Sequence, residues 1–165
     1  MIEEFPITKD MVLKGTQIAS KLWEIPGIGK CVPNVNEPAY FGIGEAMAME
    51  YLKPHGPEYV GSFGYDIRCN DLKIDVKTKR TNVAPSEWFE CSVYKNINLY
   101  PEVDLFFFTF LEFGEEPDDG WIAGCIDKKT FYAKAHWVNA GSTERHSHGS
   151  YQILIKYLKE FKDYV

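Results

Sequence analysis

The chain has 165 residues, of which 45% are apolar and 15% aromatic, and a formal net charge of −6. That length suits a single domain, 1–165, with a real core. The acidic balance argues against a general nucleic-acid coat, which would be basic. The best apolar run, Val103–Leu111, contains Asp104 and is roughly half the length a bilayer span needs. The opening MIEEFPITKD has no basic end followed by an apolar stretch, so it does not read as a secretory signal. A soluble, intracellular protein without membrane partners is expected. Cys31, Cys69, Cys91 and Cys125 form no CxxC pair. Each stands in an apolar or strand-like context, where a free cysteine behaves as a small hydrophobe.

Thr8–Trp23 reads as a helix, with Asp10 as a cap and Met11, Leu13, Ile18 and Leu22 near helical spacing. The Gly-, Pro- and Asn-rich IPGIGKCVPNVNEP follows as a loop. Its Ile25–Lys30 stretch has the look of a helix-hairpin-helix turn, but Pro33 and Pro38 stand where the next helix should begin. A second helix spans Ala39–Leu52, stopped by Pro54 and Gly56. Gly42-Ile43-Gly44 is only half of a dinucleotide fingerprint and has no strand before it. Strands are expected at Gly64–Cys69, Lys73–Lys79, Trp88–Tyr94, Val103–Phe113 and Trp121–Ile126. The fourth is so continuously apolar that it suits a strand buried on both faces. Asp127 can cap a short helix through Ala135. The polar NAGSTERHSHGS, with His146 and His148 two apart, reads as a loop. A strand at Tyr151–Ile155 and a terminal helix to Tyr164 close the chain. Trp88, Trp121 and Trp137 are expected in the core. The expected fold is α/β, a mixed central sheet with helices on both sides. Its core is about 39–126, with an N-terminal helix at 8–23 and a strand–helix tail at 151–164.

The stretch GYDIRCNDLKIDVKTKR is the informative one. With Asn70-Asp71 as a two-residue turn, Cys69 pairs with Leu72 and Arg68 with Lys73. Asp66 then falls opposite Asp75, with Cβ atoms about 5 Å apart. Lys77 shares that face and Ile67, Ile74 and Val76 take the other. Facing like charges cost stability, so either the face is merely solvated with Lys77 neutralising one aspartate, or a divalent cation bridges the pair. Mg²⁺ characteristically takes one or two protein carboxylates and completes its shell with water and phosphate oxygens.

Asp66, a turn, then Asp75-Val76-Lys77 resembles the signature of the PD-(D/E)XK nuclease superfamily, with Tyr65 where the name-giving proline would stand. That resemblance extends over Ala39–Tyr94. FGIGEAMAMEYL supplies the glutamate such proteins carry on a preceding helix: Glu45, with Glu50 as second choice. Five residues apart, the two cannot both point at one site. The resemblance implies a restriction-endonuclease-like core and a Mg²⁺-dependent nuclease, with Mn²⁺ able to substitute. Its substrate would be nucleic acid, and DNA cut endonucleolytically is the leading case. Asp66 and Asp75 would hold the cation, with the Val76 carbonyl as an added ligand and Glu45 serving its outer shell or a second cation. Lys77 would orient the attacking water or stabilise the transition state. Lys79, Arg80 and Lys95 are candidate phosphate contacts, and Tyr94, Asn96 and Asn98 close the next strand nearby. A small domain of this type often needs a second subunit to cut both strands, which points to a homodimer. The other reading keeps the fold as a catalytically silent binding or assembly module.

Overall fold

The computed structural model describes residues 2–24, 39–62, 64–94, 97–114, 117–141 and 149–165. Strand β1 (Glu3–Pro6) precedes helices α1 (Lys9–Trp23) and α2 (Ala39–Tyr51). Strands β2 (Glu58–Tyr59), β3 (Ile67–Cys69), β4 (Leu72–Thr81), β5 (Glu90–Val93), β6 (Leu105–Glu112) and β7 (Asp119–Asp127) follow. Helix α3 (Lys128–Lys134) and strands β8 (His136–Val138) and β9 (Ser150–Leu154) complete the order. The main sheet runs β1-β7-β6-β4-β3-β2, and a second sheet runs β5-β9-β8. Within the main sheet β4 and β6 are parallel and the other pairs antiparallel. The chain is thus a mixed α/β protein. No helix among the described residues is long and apolar enough to cross a membrane.

The continuous apolar run of β6 does what such a run requires. Leu105, Phe107 and Leu111 join Ile43 and Met47 of α2, and Leu52 just after it, in one core. Phe106, Phe108 and Phe110 face the other way, onto Cys91 and Val93 of β5, Ile153 of β9 and Phe131 of α3. This corrects one expectation. Helix α2, backed by α1, covers one face of the main sheet, but the second face is covered mostly by the small sheet, with α3 as its one α-helix among the described residues.

Helix α2 is squeezed between α1 and the sheet, which explains its glycines. A Cβ on Gly42 would strike the carbonyl oxygen of Gly15, and one on Gly15 would strike the backbone of Ile43. A Cβ on Gly44 would meet the hydroxyl of Thr78, which accepts a 3.0 Å hydrogen bond from Thr109. The Gly-Ile-Gly pattern therefore serves close helix packing. Small residues at this contact bring α2 near enough for the next residue, Glu45, to enter the sheet edge.

Several local expectations change. Thr8, not Asp10, caps α1: its Oγ1 accepts from the Met11 N–H at 3.2 Å. Leu13 faces outward. Asp127 caps α3 as expected, accepting from the Thr130 N–H at 2.8 Å. The first strand is shorter than Gly64–Cys69, because residues before Ile67 leave the ladder. The tail ends in 3-10 turns at Ile155–Tyr157 and Phe161–Tyr164, not in an α-helix. Trp121 is buried, but Trp88 and Trp137 are 60% and 50% exposed. Cys69, Cys91 and Cys125 are buried free thiols. Cys31, the Ile25–Lys30 turn, Lys95, Asn96 and the His146–His148 pair lie outside the described residues.

Candidate active site

The hairpin follows from its turn. Asn70 and Asp71 both adopt positive φ, 48° and 63°, the conformation that lets a two-residue loop match the twist of its strands and that Asn and Asp tolerate. The register is Cys69 with Leu72, Arg68 with Lys73 and Ile67 with Ile74. There the ladder stops. The Asp66 N–H donates to the Ile74 carbonyl at 2.9 Å, and the Asp66 carbonyl accepts from Val60 and Gly61. The Asp66 carboxylate takes the next ladder position itself, accepting from the Val76 N–H at 2.7 Å.

Strand β4 continues to Thr81 against β6, but past Ile74 its other edge has no paired strand among the described residues. Ile74 and Val76 direct their backbone groups to that edge, so by strand alternation the Val76 carbonyl lies there too. Glu45 arrives from the helical side, buried, with its Oε2 accepting a 2.9 Å hydrogen bond from the Tyr59 hydroxyl. Asp75 is buried, and its Oδ2 lies 2.5 Å from the Lys77 ammonium. Glu50, the second choice, turns away and pairs with Lys53 at 3.0 Å.

The electrostatics show that these groups form one cluster. Burial, then the charge of Asp75, pushes the Glu45 carboxyl up to about 7, against the pull of the Tyr59 hydroxyl and Lys77. Asp66 is raised well above the ordinary carboxylate range by burial, then by Glu45 and Asp75. Burial alone would lower Lys77, but attraction by Asp75, Tyr100 and Asp66 outweighs it and raises the ammonium. Burial is the largest cause at both Glu45 and Asp66, and each also feels the charge of Asp75.

A pH dependence follows. Glu45 titrates near 4.5 when unperturbed and near 7 in the fold. Its contribution to stability is intact below about 4.5 and is lost as pH rises through about 7. In cation-free buffer, Glu45→Gln should therefore gain stability relative to wild type across that window, by on the order of 3 kcal/mol. Thermal melts of both proteins from pH 4.5 to 8 check this; a constant difference in melting temperature would contradict it.

The candidate residues do not all converge. Asp75, Lys77 and Lys79 share one face of β4, opposite Phe106, Phe108 and Phe110 in register. Lys79 is exposed and donates to the Glu90 carbonyl at 3.0 Å. Beside Lys77 and Lys79 a cleft of about 60 Å³ opens, walled by Ser92 and Tyr94 of the β5 segment. Arg80 lies on the helical face instead, its guanidinium 4.5 Å from the ring centre of Phe113 and 5.1 Å from that of Tyr40. Two residues escaped sequence reasoning. Tyr59 holds Glu45, and Tyr100 carries its ring 5.0 Å from the Lys77 ammonium. Neither belongs to a motif, and only the tertiary fold brings them to the hairpin.

The donors are hard oxygens, three carboxylates and a backbone carbonyl, which suit Mg²⁺ or Mn²⁺ and not a soft metal. Among the described residues no group of three or more His, Cys, Asp or Glu side chains is arranged to hold a metal ion by itself. A cation with one or two protein carboxylates and a shell otherwise of water needs no such group. No protein-family model matches the chain, and no curated protein matches it in sequence.

Proposed function

We propose that this chain is a divalent-cation-dependent nuclease with a restriction-endonuclease-like core, hydrolysing phosphodiester bonds of nucleic acid, with DNA cut internally as the leading case. One observation carries the reading: Glu45 from α2, Asp66 from the end of β3, and Asp75 and Lys77 from β4 interact as one charged cluster at the edge where β4 loses its partner strand. Asp66 and Asp75 would hold Mg²⁺ or Mn²⁺, with the Val76 carbonyl and Glu45 as further oxygen donors. A bound cation would supply Lewis acidity toward phosphate oxygens and acidify water.

The chain's own groups do the rest. The Lys77 ammonium, fixed by Asp75 and the Tyr100 ring, is placed to orient a water and to offset charge growing on the phosphate. Lys79, exposed on the same face, offers a contact to a neighbouring phosphate that carries no sequence preference. Glu45, whose carboxyl titrates near 7, can accept a proton close to neutral pH. A homodimer would place two such sites on the two strands of a duplex.

The alternative, a silent binding module, draws support from the same site. Asp75 is already paired with Lys77 and Asp66 with the Val76 N–H, so the cluster is held together without a cation. Incubating plasmid, linear duplex, single-stranded DNA and RNA with the protein and Mg²⁺ or Mn²⁺ separates the two. A nuclease cleaves at least one substrate, and Asp75→Ala, shown to be folded, does not. Intact substrates throughout, or equal cleavage by Asp75→Ala, would defeat the proposal.

A further inference from the structure

An aromatic and cationic face lies beyond Lys79, outside the cluster described above. The Lys79 ammonium bonds the carbonyl of Glu90 at the start of β5, and Trp88 lies two residues earlier with 60% of its surface exposed. The 3-10 turn Ile155–Tyr157 is tied to this segment by two backbone bonds of 3.0 Å, Ile155 N–H to the Phe89 carbonyl and Lys156 N–H to the Glu87 carbonyl. That pairing sets the Lys156 ammonium 4.0 Å from the centre of the Trp88 ring and 5.2 Å from that of Tyr157. Lys134 of α3 stands 5.3 Å from the Tyr157 ring, and Tyr157 is 45% exposed.

Single exposed aromatics are ordinary, but Trp88 and Tyr157 are joined through Lys156 into one patch rimmed by charge, and such patches mark interaction sites. Here they are held on paired backbone, so little order has to be gained on binding. With Lys156 over one side of Trp88, the high exposure of the indole leaves the other side open to stack. Flat apolar rings interleaved with ammonium groups are the chemistry of a surface that takes unpaired bases and the phosphates between them. Duplex bases are stacked inside the helix and offer no faces to such rings. Glu87 and Glu90 lie in the same segment and limit nonspecific attraction, so stacking has to contribute strongly.

We infer that the Trp88–Tyr157 face, with Lys156, Lys134 and Lys79, is a binding platform for a single-stranded nucleic-acid segment leading toward the β4 edge. The inference deepens the nuclease reading by naming a substrate with an unpaired stretch, and as a route into a cutting site it rests on that reading. Binding itself is tested separately, in EDTA, where no cation-dependent cleavage occurs.

The test is fluorescence anisotropy with a labelled 12-nucleotide oligothymidylate and a 12-base-pair duplex. Wild type should prefer the single strand. Trp88→Ala should weaken that binding by about tenfold or more, since stacking contributes about 1–3 kcal/mol per base. Trp88→Phe should restore most of it, and Tyr157→Ala, in a separate segment, should weaken it independently. With three ammonium groups engaged, the logarithm of affinity should fall against that of salt with a slope near −2, about 0.7 per phosphate. Because the assay runs in EDTA and reads binding alone, failure of the nuclease reading and failure of the platform are distinguishable. No binding, binding unchanged in folded Trp88→Ala and Tyr157→Ala, or equal dependence of duplex binding on both residues would overturn the inference.

Discussion

Lys77→Ala is expected to lower cation-dependent cleavage by about 10²- to 10³-fold, the usual cost of removing one preorganised group that meets transition-state charge. An ammonium is not a metal ligand, so Mn²⁺ affinity should hold or rise, because Lys77 competes with a cation for Asp75 Oδ2. Cleavage and binding should thus separate in this variant, whereas Asp75→Ala should lose both. Lys77→Met, which keeps the stem beside the Tyr100 ring, controls for packing. Single-turnover rates at saturating Mn²⁺, beside titrations of the same samples, check the prediction. Wild-type cleavage in folded Lys77→Ala would remove the lysine from the chemistry.

Phe106→Ala should be among the most destabilising single changes. Phe106 is fully buried beside Asp75 in register. Its ring lies 5.2 Å from Phe131, 5.3 Å from Tyr100 and 6.1 Å from Tyr132, all edge-on. Truncating a buried phenylalanine costs about 3–5 kcal/mol, which in a chain of this size lowers the melting temperature by roughly 6–20 °C. The cavity would open beneath Tyr100, the ring beside Lys77, so cleavage at low temperature should fall as well. A calorimetric scan and an assay well below the melting point measure the two effects.

The local code of this chain was legible where one signal dominated. Asn70-Asp71 fixes the hairpin register because few other residue pairs adopt two positive φ angles. The run at β6 suited a strand buried on both faces and Asp127 suited a cap at the start of a short helix, and both are found. What stayed hidden was set by tertiary contact. β1, β2 and β8 have two to four residues each, too few for a periodic pattern, and exist because a partner strand accepts them. The second sheet in place of a helical layer was illegible for the same reason.

The site shows the same division. Asp75 and Lys77 on one face follow from strand alternation, and helix geometry says only that Glu45 and Glu50 cannot both enter the site. Alternation also places Arg80 on the opposite face from Lys77, which the run of basic residues Lys77, Lys79, Arg80 disguises. The turn of Asp66 toward the Val76 N–H depends on where β3 ends, and the arrival of Tyr59 and Tyr100 depends on how the sheet folds over. None of these is carried by residue spacing.

Mn²⁺ titration of the folded protein, followed by melting temperature, tests the proposed cation site at Asp66, Asp75 and Glu45. A ligand bound only by the folded state raises stability with its concentration, by about 2.7 kcal/mol at 100 times Kd. Wild type should rise with Mn²⁺, more steeply at pH 8 than at pH 6, because Glu45 titrates near 7 and a proton must leave before the carboxylate can serve as a ligand. Asp75→Asn should lose most of the rise at both pH values. A wild type indifferent to Mn²⁺, or an Asp75→Asn variant that responds as wild type does, would rule out a cation site at these carboxylates.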